Sequence, residues 1–422
     1  MEKDYKIDFL GSGAFGCTVC PPIKLSEEFK KIDFSIPDFS FDKVSNCDYI
    51  GKILALGKSS DSYESEIKNL LDIQQLDPDG KYTPQLIYAN IHTSKNFLNK
   101  IKKNEKLSKC LIDKIKKEKN YGYIILKNVG INLQNKYEQY KENNDDFRLL
   151  LNCMDIILFL RKFIKLLEFL DQIYKKYIHL DIKGDNITEK NEEMFLIDFG
   201  RFQEINKNNV NNSVIRYLKQ QHYTASFELK IYNNLLKKQK QNINNKTIIY
   251  IIQYIDDNFE KLIEPYVLHI FIRNIFEEIF SSDWKEQLKE GYNITFRGKE
   301  YNISNIDNYI RFRQKEYFIN YLLEKYKFDY SKIIIDVDVD DFIYEMFLPI
   351  INKIDMTYIG LTFAKIILCA NYDTYEKCKP QFKEKFEKLI KDLLFNKFVD
   401  VKSFLLRFKY IIYYEYINLL LS

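Results

Sequence analysis

Apolar residues recur along this chain in two rhythms, and each rhythm predicts a kind of element. Between 149 and 177, Ile156, Leu160, Phe163, Ile164, Leu167 and Leu170 fall at the i, i+3, i+4 spacing of a long buried helix. Shorter apolar runs bounded by turn formers read as strands: 48–54, 84–89 after the turn signal Asp77-Pro78-Asp79-Gly80, and 121–126 as the last strand of a small sheet. A helix is predicted to begin near Ser60 or Ser62, whose hydroxyls can cap orphan amides, and to carry Glu64 and Glu66 ahead of Ile67, Leu70 and Leu71. Residues 21–47, with Pro21, Pro22 and Pro37, read as a surface excursion.

Two further regions stand out by pattern. In 94–120, Leu98, Ile101, Leu107, Leu111 and Ile115 lie at near-helical spacing among many lysines, which predicts one or two basic amphipathic helices. A solvated charged face accounts for such a segment; docking to an acidic partner or a membrane surface is the alternative. From 231 to 347, a polar, basic start at 237–242 is followed by periodic apolar stretches at 248–255 and 266–280, which predict a helical subdomain rather than a linker. The alternating Asp336, Asp338, Asp340 and Asp341 lack the glycine and terminal glutamate of a calcium-binding loop and read as acids near a helix start.

Composition narrows the picture. A chain of 422 residues, 46% hydrophobic and 15% aromatic, can bury a sizeable core. Its net charge of +4 gives no general reason to expect nucleic-acid binding. The charged residues 1–6 do not read as a signal peptide, and seven cysteines are an odd number, so reduced thiols in an intracellular, cytoplasmic setting are expected. Cys17 and Cys20 form a C-x-x-C pair without a second pair at zinc-binding spacing, and are read as structural. No transmembrane segment is expected, because the apolar stretches at 156–170 and 411–421 are broken by Arg161, Lys162, Lys165 and Glu415.

The chemistry concentrates in Ile178-His179-Leu180-Asp181-Ile182-Lys183-Gly184-Asp185-Asn186-Ile187 and in Phe195-Leu196-Ile197-Asp198-Phe199-Gly200. A hairpin-like return would bring the second stretch beside the first. Asn186 and Asp198 suit magnesium, which takes oxygen ligands, and Asp181 is then left to meet a substrate hydroxyl while Lys183 reaches a phosphate. In these motifs the sequence resembles the eukaryotic-type serine/threonine protein kinases, in the manner of the divergent kinases of large DNA viruses; the Lys, Asn and Ile bias fits that association.

That resemblance extends to other parts in chain order. Leu10-Gly11-Ser12-Gly13-Ala14-Phe15-Gly16 reads as a glycine-rich loop over nucleotide phosphates. A dinucleotide-binding turn would need a helix directly after the third glycine, whereas β-prone residues and Pro21-Pro22 follow. Thr18 stands where kinases usually carry a valine over adenine. Lys52, preferred to Lys58, is the strand lysine, and Glu66, with Glu64 as the alternative, its helix partner. His179 braces the loop. Asp355, opening a helix at about 354–361, would steady the catalytic loop, and Glu228 in a degraded Ser226-Phe227-Glu228 motif would be a structural anchor. Leu180 replaces the arginine that in many kinases grips an activation-loop phosphate, which implies either a loop geometry independent of phosphorylation at Ser213, Thr224 or Ser226 or control by the inserted subdomain at 231–347.

The resemblance therefore implies an α+β, two-lobed protein-kinase-like fold. Its parts are a small β-rich N-lobe at 1–128 with insertions at about 21–47 and 94–120, a larger helical C-lobe at 129–230 and 348–422, and a helical insertion at 231–347. It implies ATP and Mg2+ as cofactors and a protein substrate. Two other readings remain open: a nucleotide-binding scaffold without transfer, and a small-molecule phosphotransferase, which Lys183 and Asp198-Phe199-Gly200 weigh against.

Overall fold

The computed structural model describes residues 7–12, 16–25, 33–56, 61–93, 120–137, 150–206, 231, 234–235, 253–259, 292–303, 306–325, 344–345, 348, 354–369, 372–394 and 400–421. The expectations for 94–119, Lys58, Ser213, Thr224, Ser226, Glu228, 237–242, 248–252, 266–280 and 336–341 lie outside them, as do Gly13, Ala14 and Phe15. Helices and antiparallel sheet are both present, and the chain divides into two compact units: Met1–Asn132 with Asn186–Phe202, and Leu133–Asp185 with Gln203–Ser422.

In the first unit, β1 (Asp8–Ser12), β2 (Gly16–Cys20), β3 (Phe34–Ser35), β4 (Tyr49–Ala55), β5 (Leu86–Thr93) and β6 (Asn120–Lys127) form one sheet in the order β1-β2-β4-β6-β5-β3. Side chains alternate across it. One face buries Cys17, Val19, Ile53, Tyr121, Tyr123 and Ile125. The excursion expected on the surface at 21–47 instead covers this face: Ile23, Leu25 and Val44 are buried in the same cluster, and the Phe39 ring stacks on Tyr88 at 4.6 Å. A sheet with apolar residues on both faces needs two covers, and the prolines hid the apolar residues that supply one of them.

The second cover is α1 (Asp61–Leu76), whose buried stripe runs through Tyr63, Glu66, Ile67, Leu70 and Ile73. It approaches the sheet closely at Gly122. There the Tyr63 ring occupies the space of a missing Cβ, and its hydroxyl is fixed by donation to Asp33 at 3.0 Å.

After β7 (Ile131–Asn132) the chain passes through α2 (Leu133–Tyr137), α3 (Cys153–Ile173) and β8 (Tyr177–Ile178) of the second unit. It then returns to the first with β9 (Ile187–Lys190) and β10 (Glu193–Leu196). The 128/129 boundary left 186–202 with the helical part. Two backbone links place it in the first unit: β9 pairs with β7, and the Leu196 amide donates to the Tyr82 carbonyl at 2.8 Å.

The second unit is built on α3. Asn152 caps it reciprocally with Asp155, and the predicted apolar stripe from Ile156 to Leu170 is buried. β11 (Gln203–Glu204) pairs with β8. The region expected to be helical also holds a hairpin, β12 (Tyr292–Phe296) and β13 (Lys299–Ile303), followed by α4 (Ile306–Lys325). Its two-residue turn, Arg297-Gly298, takes positive φ at both positions, as tight hairpins require. Lys315 of α4 is buried, pairs with Asp256 at 3.2 Å and donates to the Tyr301 hydroxyl at 2.6 Å, which ties helix to hairpin.

α5 (Ile354–Phe363) runs on into a π-helical turn at Ala364–Cys369, and α6 (Tyr372–Glu376), α7 (Pro380–Leu394) and α8 (Val401–Leu420) come after it. Phe363 packs edge-on against Phe163 of α3 and stacks on Phe408 of α8. Among the described residues, no helix is long and apolar enough to cross a membrane. The expectation of reduced thiols is corrected: Cys20 is disulfide-bonded to Cys47 and Cys153 to Cys378. The pairs lie 27 and 225 residues apart, so only tertiary proximity reveals them.

Because the Tyr63 ring is pinned at both ends, Gly122→Ala should destabilise the protein by about 1–3 kcal/mol through overpacking. Equilibrium urea unfolding, read by the midpoint at unchanged slope, measures this.

Candidate functional site

Lys52 sits in the middle of β4, paired with Thr18 of β2 and Ile124 of β6. Its neighbour Ile53 enters the core on one face, so Lys52 points to the other, where α1 lies. Its ammonium lies 2.5 Å from Glu66 Oε1 and 3.1 Å from Asp198 Oδ1. Glu66 is 6% exposed, and Glu64, two residues earlier, faces solvent, which decides between the two candidates.

Burial alone would lower the Lys52 pKa, but the carboxylates of Asp198 and Glu66 outweigh it and hold the group above its ordinary range as a fixed cation. Burial likewise pushes the Glu66 carboxyl up, against the attraction of Lys52. Lys52 is what makes a charge on Glu66 tolerable there.

Asp198 adopts a left-handed backbone conformation, φ 63° and ψ 70°, which aspartate tolerates better than most residues. Three contacts hold the turn. The Phe199 ring is fully buried and meets Phe202 edge-on at 5.6 Å. Asn69 of α1 donates to the Phe199 carbonyl at 2.8 Å, and the Ile197 amide donates to the Asn186 carbonyl at 2.9 Å. Asn69 was missed from the sequence; its signal is a polar residue on the buried stripe of α1, three positions after Glu66. One helix thus sets both the partner of Lys52 and the turn that carries Asp198.

The β9–β10 hairpin sets the backbone of Asn186 beside that of Ile197, the residue before Asp198. Ile187 and Leu196 are paired at its open end, so the residues just outside, Asn186 and Ile197-Asp198, leave side by side. An amide and a carboxylate oxygen suit a hard ion that keeps several waters, such as magnesium. Among the described residues, no group of three or more His, Cys, Asp or Glu could hold a metal ion.

Of the glycine-rich loop, Leu10, Gly11, Ser12 and Gly16 are described: the first three end β1, and Gly16 opens β2. A Cβ at Gly16 would collide with the Ile53 carbonyl, so glycine is required for β2 to lie this close to β4. Leu10 is exposed and Thr18 half-buried.

Asp181 and Lys183 belong to the second unit. The Asp181 carboxylate is nearly buried and lies 3.3 Å from the Lys183 ammonium. The loop before them is held by Asp355, in the first turn of α5, whose two carboxylate oxygens accept from the amides of His179 and Leu180, each at 2.8 Å. Leu180 has φ 62°, a conformation that costs a non-glycine residue roughly 1–2 kcal/mol. The paired hydrogen bonds and the burial of the Leu180 side chain offset that strain. His179 is itself fully buried. The ladder between β8 and β11, extended by the Ile205 amide donating to the Lys176 carbonyl at 2.8 Å, fixes the entrance to the loop.

No model of a known protein family matches the chain, and no curated protein matches its sequence.

Burial pushes the Asp355 carboxyl up from 3.8 to about 7, against the amides of His179 and Leu180. A folded-state pKa raised above the unfolded value favours folding with the acid protonated. That contribution is complete below pH 3.8 and is lost as the pH climbs through about 7. The stability of the wild type relative to Asp355→Asn should therefore fall over this window, on the order of a few kcal/mol, and level off above it. Denaturant titrations of both proteins at a series of pH values measure the difference.

Proposed function

We propose that this chain is an ATP-dependent protein kinase that transfers the γ-phosphoryl group to serine or threonine hydroxyls of a protein substrate. In this reading the first unit is the β-rich lobe of a protein-kinase-like fold and the second is the helical lobe. The observation that carries it is the Lys52 ammonium held between Glu66 and Asp198. A cation kept charged by one buried and one half-exposed carboxylate is suited to orienting nucleotide phosphates.

The roles follow from the chemistry of each group. Asp181 orients the substrate hydroxyl and accepts its proton, and Lys183 faces the migrating phosphoryl group. The residues at Leu10–Gly16 cover the phosphates, and Thr18 lies over the adenine. Asn186 and Asp198 hold magnesium, which when bound supplies neutralising charge at the phosphate oxygens. Little covalent work is left to the protein, so rate depends on alignment and electrostatics. Lysine at 183 favours serine and threonine over tyrosine as acceptors, by resemblance to kinases of that type.

The deciding experiment is transfer of labelled phosphate from ATP to a generic basic protein in the presence of magnesium. Asp181→Ala and Lys52→Ala should each lower transfer by at least about a hundredfold. Unchanged transfer in both variants excludes the mechanism. Magnesium-dependent nucleotide binding without transfer by the wild type would establish a scaffold instead.

A further inference from the structure

α8 buries one side through Phe404, Phe408, Ile411 and Ile412, while Lys409 pairs with Glu168 of α3 at 2.5 Å. The opposite side is unusual for an outward face. Beyond Ser403, every exposed position of this helix is leucine, tyrosine or isoleucine. Leu406, Tyr410, Tyr413, Ile417 and Leu420 follow one another at steps of four, three, four and three residues. That is the alternation of a heptad seam, whose period keeps one stripe against a partner helix over several turns. A helix apolar on all sides is normally a buried one.

We propose that this stripe is the seam of a homodimer, in which α8 of one copy packs on α8 of a second copy of this chain about a two-fold axis. Area and charge both favour that occupant. The five seam residues, with Tyr414 and Leu421 beside them, are 41–82% exposed. Given the size of such side chains they offer on the order of 700 Å² per copy, close to the roughly 800 Å² each partner contributes to a standard interface. Isolated monomers seldom leave so large a continuous apolar patch in water.

Self-association also needs a face that does not repel its own copy. From Leu406 to Leu421 the charged side chains are all engaged or buried: Arg407, 33% exposed, pairs with Asp392, Lys409, 29% exposed, pairs with Glu168, and Glu415 is buried. Lys385 of α7 lies over the rings of Tyr410 and Tyr414, 5.6 and 4.4 Å from their centroids, so its charge is engaged by the faces of two tyrosines. A helix that lies on an anionic membrane would instead carry exposed lysine and arginine along its polar flank. Tyrosine, which supplies three of the seven residues, is enriched at protein interfaces.

Sedimentation equilibrium of the full chain across the low-micromolar range tests this. The wild type should approach twice its 50.8 kDa mass. Ile417→Glu and Tyr413→Lys should each raise the dimer dissociation constant about tenfold or more, with the circular dichroism spectrum of the folded chain unchanged. Should either variant fail to fold, amide hydrogen exchange of wild-type α8 provides the second measurement, and protection of 406–420 should rise with protein concentration. A wild type that stays monomeric throughout the range, a dimer that neither substitution weakens, or exchange in α8 independent of concentration would each overturn the proposal. Flotation of a monomeric wild type with acidic phospholipid vesicles would also overturn it, and would assign the face to lipid.

Discussion

The Lys52 ammonium stands 2.5 Å from one carboxylate and 3.1 Å from another, in a place where a sheet and a helix have removed most of the water. Glu66 is too buried to remain charged without a cation, and removing one partner of such a pair typically costs about 3–5 kcal/mol. The arrangement is therefore a constraint on the whole first unit. β4 must run centrally to present Lys52, α1 must lie across the face that Lys52 enters, and the β9–β10 hairpin must end where Asp198 can reach the same nitrogen. Gly16 and Gly122 serve that requirement, the first by letting strands close and the second by letting α1 settle on the sheet.

The second unit meets a comparable demand with a different device. Here the costly element is backbone: a leucine in the left-handed region and two amides turned away from any strand partner. A single buried carboxylate, Asp355, satisfies both amides and fixes the loop that carries Asp181. With Leu180 packed inside, apolar burial and Asp355 set the geometry here.

What was legible in the sequence follows from how local each feature is. The long helix α3 could be read because its apolar stripe is regular, whereas the cap that Asn152 and Asp155 form at its start was not read from the sequence. Lys52, Glu66, Asn186 and Asp198 were singled out by resemblance to an ordered set of kinase motifs, and the structure brings Lys52, Glu66 and Asp198 into contact. Asn69 was not, because one polar residue on an apolar stripe looks like an imperfection until the Phe199 carbonyl is seen opposite it. The hairpin at 292–303 was hidden for a related reason. Its strands are largely exposed and polar, and its turn is Arg-Gly rather than the more recognisable Asn-Gly or Asp-Gly. Prolines misdirected the reading of 21–47, where the apolar residues cover a sheet face.

The path of the chain adds one more argument. Residues 186–202 belong to the first unit although both flanks belong to the second, so the polypeptide crosses at 185–186 and returns at 202–203. Asp181 precedes the first crossing by four residues, and Asp198 precedes the second by the same number. The β8–β11 ladder joins the two flanks within the second unit, while the β7–β9 pairing and the Asn69 bond secure the excursion within the first. Each acidic candidate is thus carried on a segment that is tied down on its own side, close to the point where the chain changes sides. Such a layout keeps both carboxylates in defined backbone geometry within each unit.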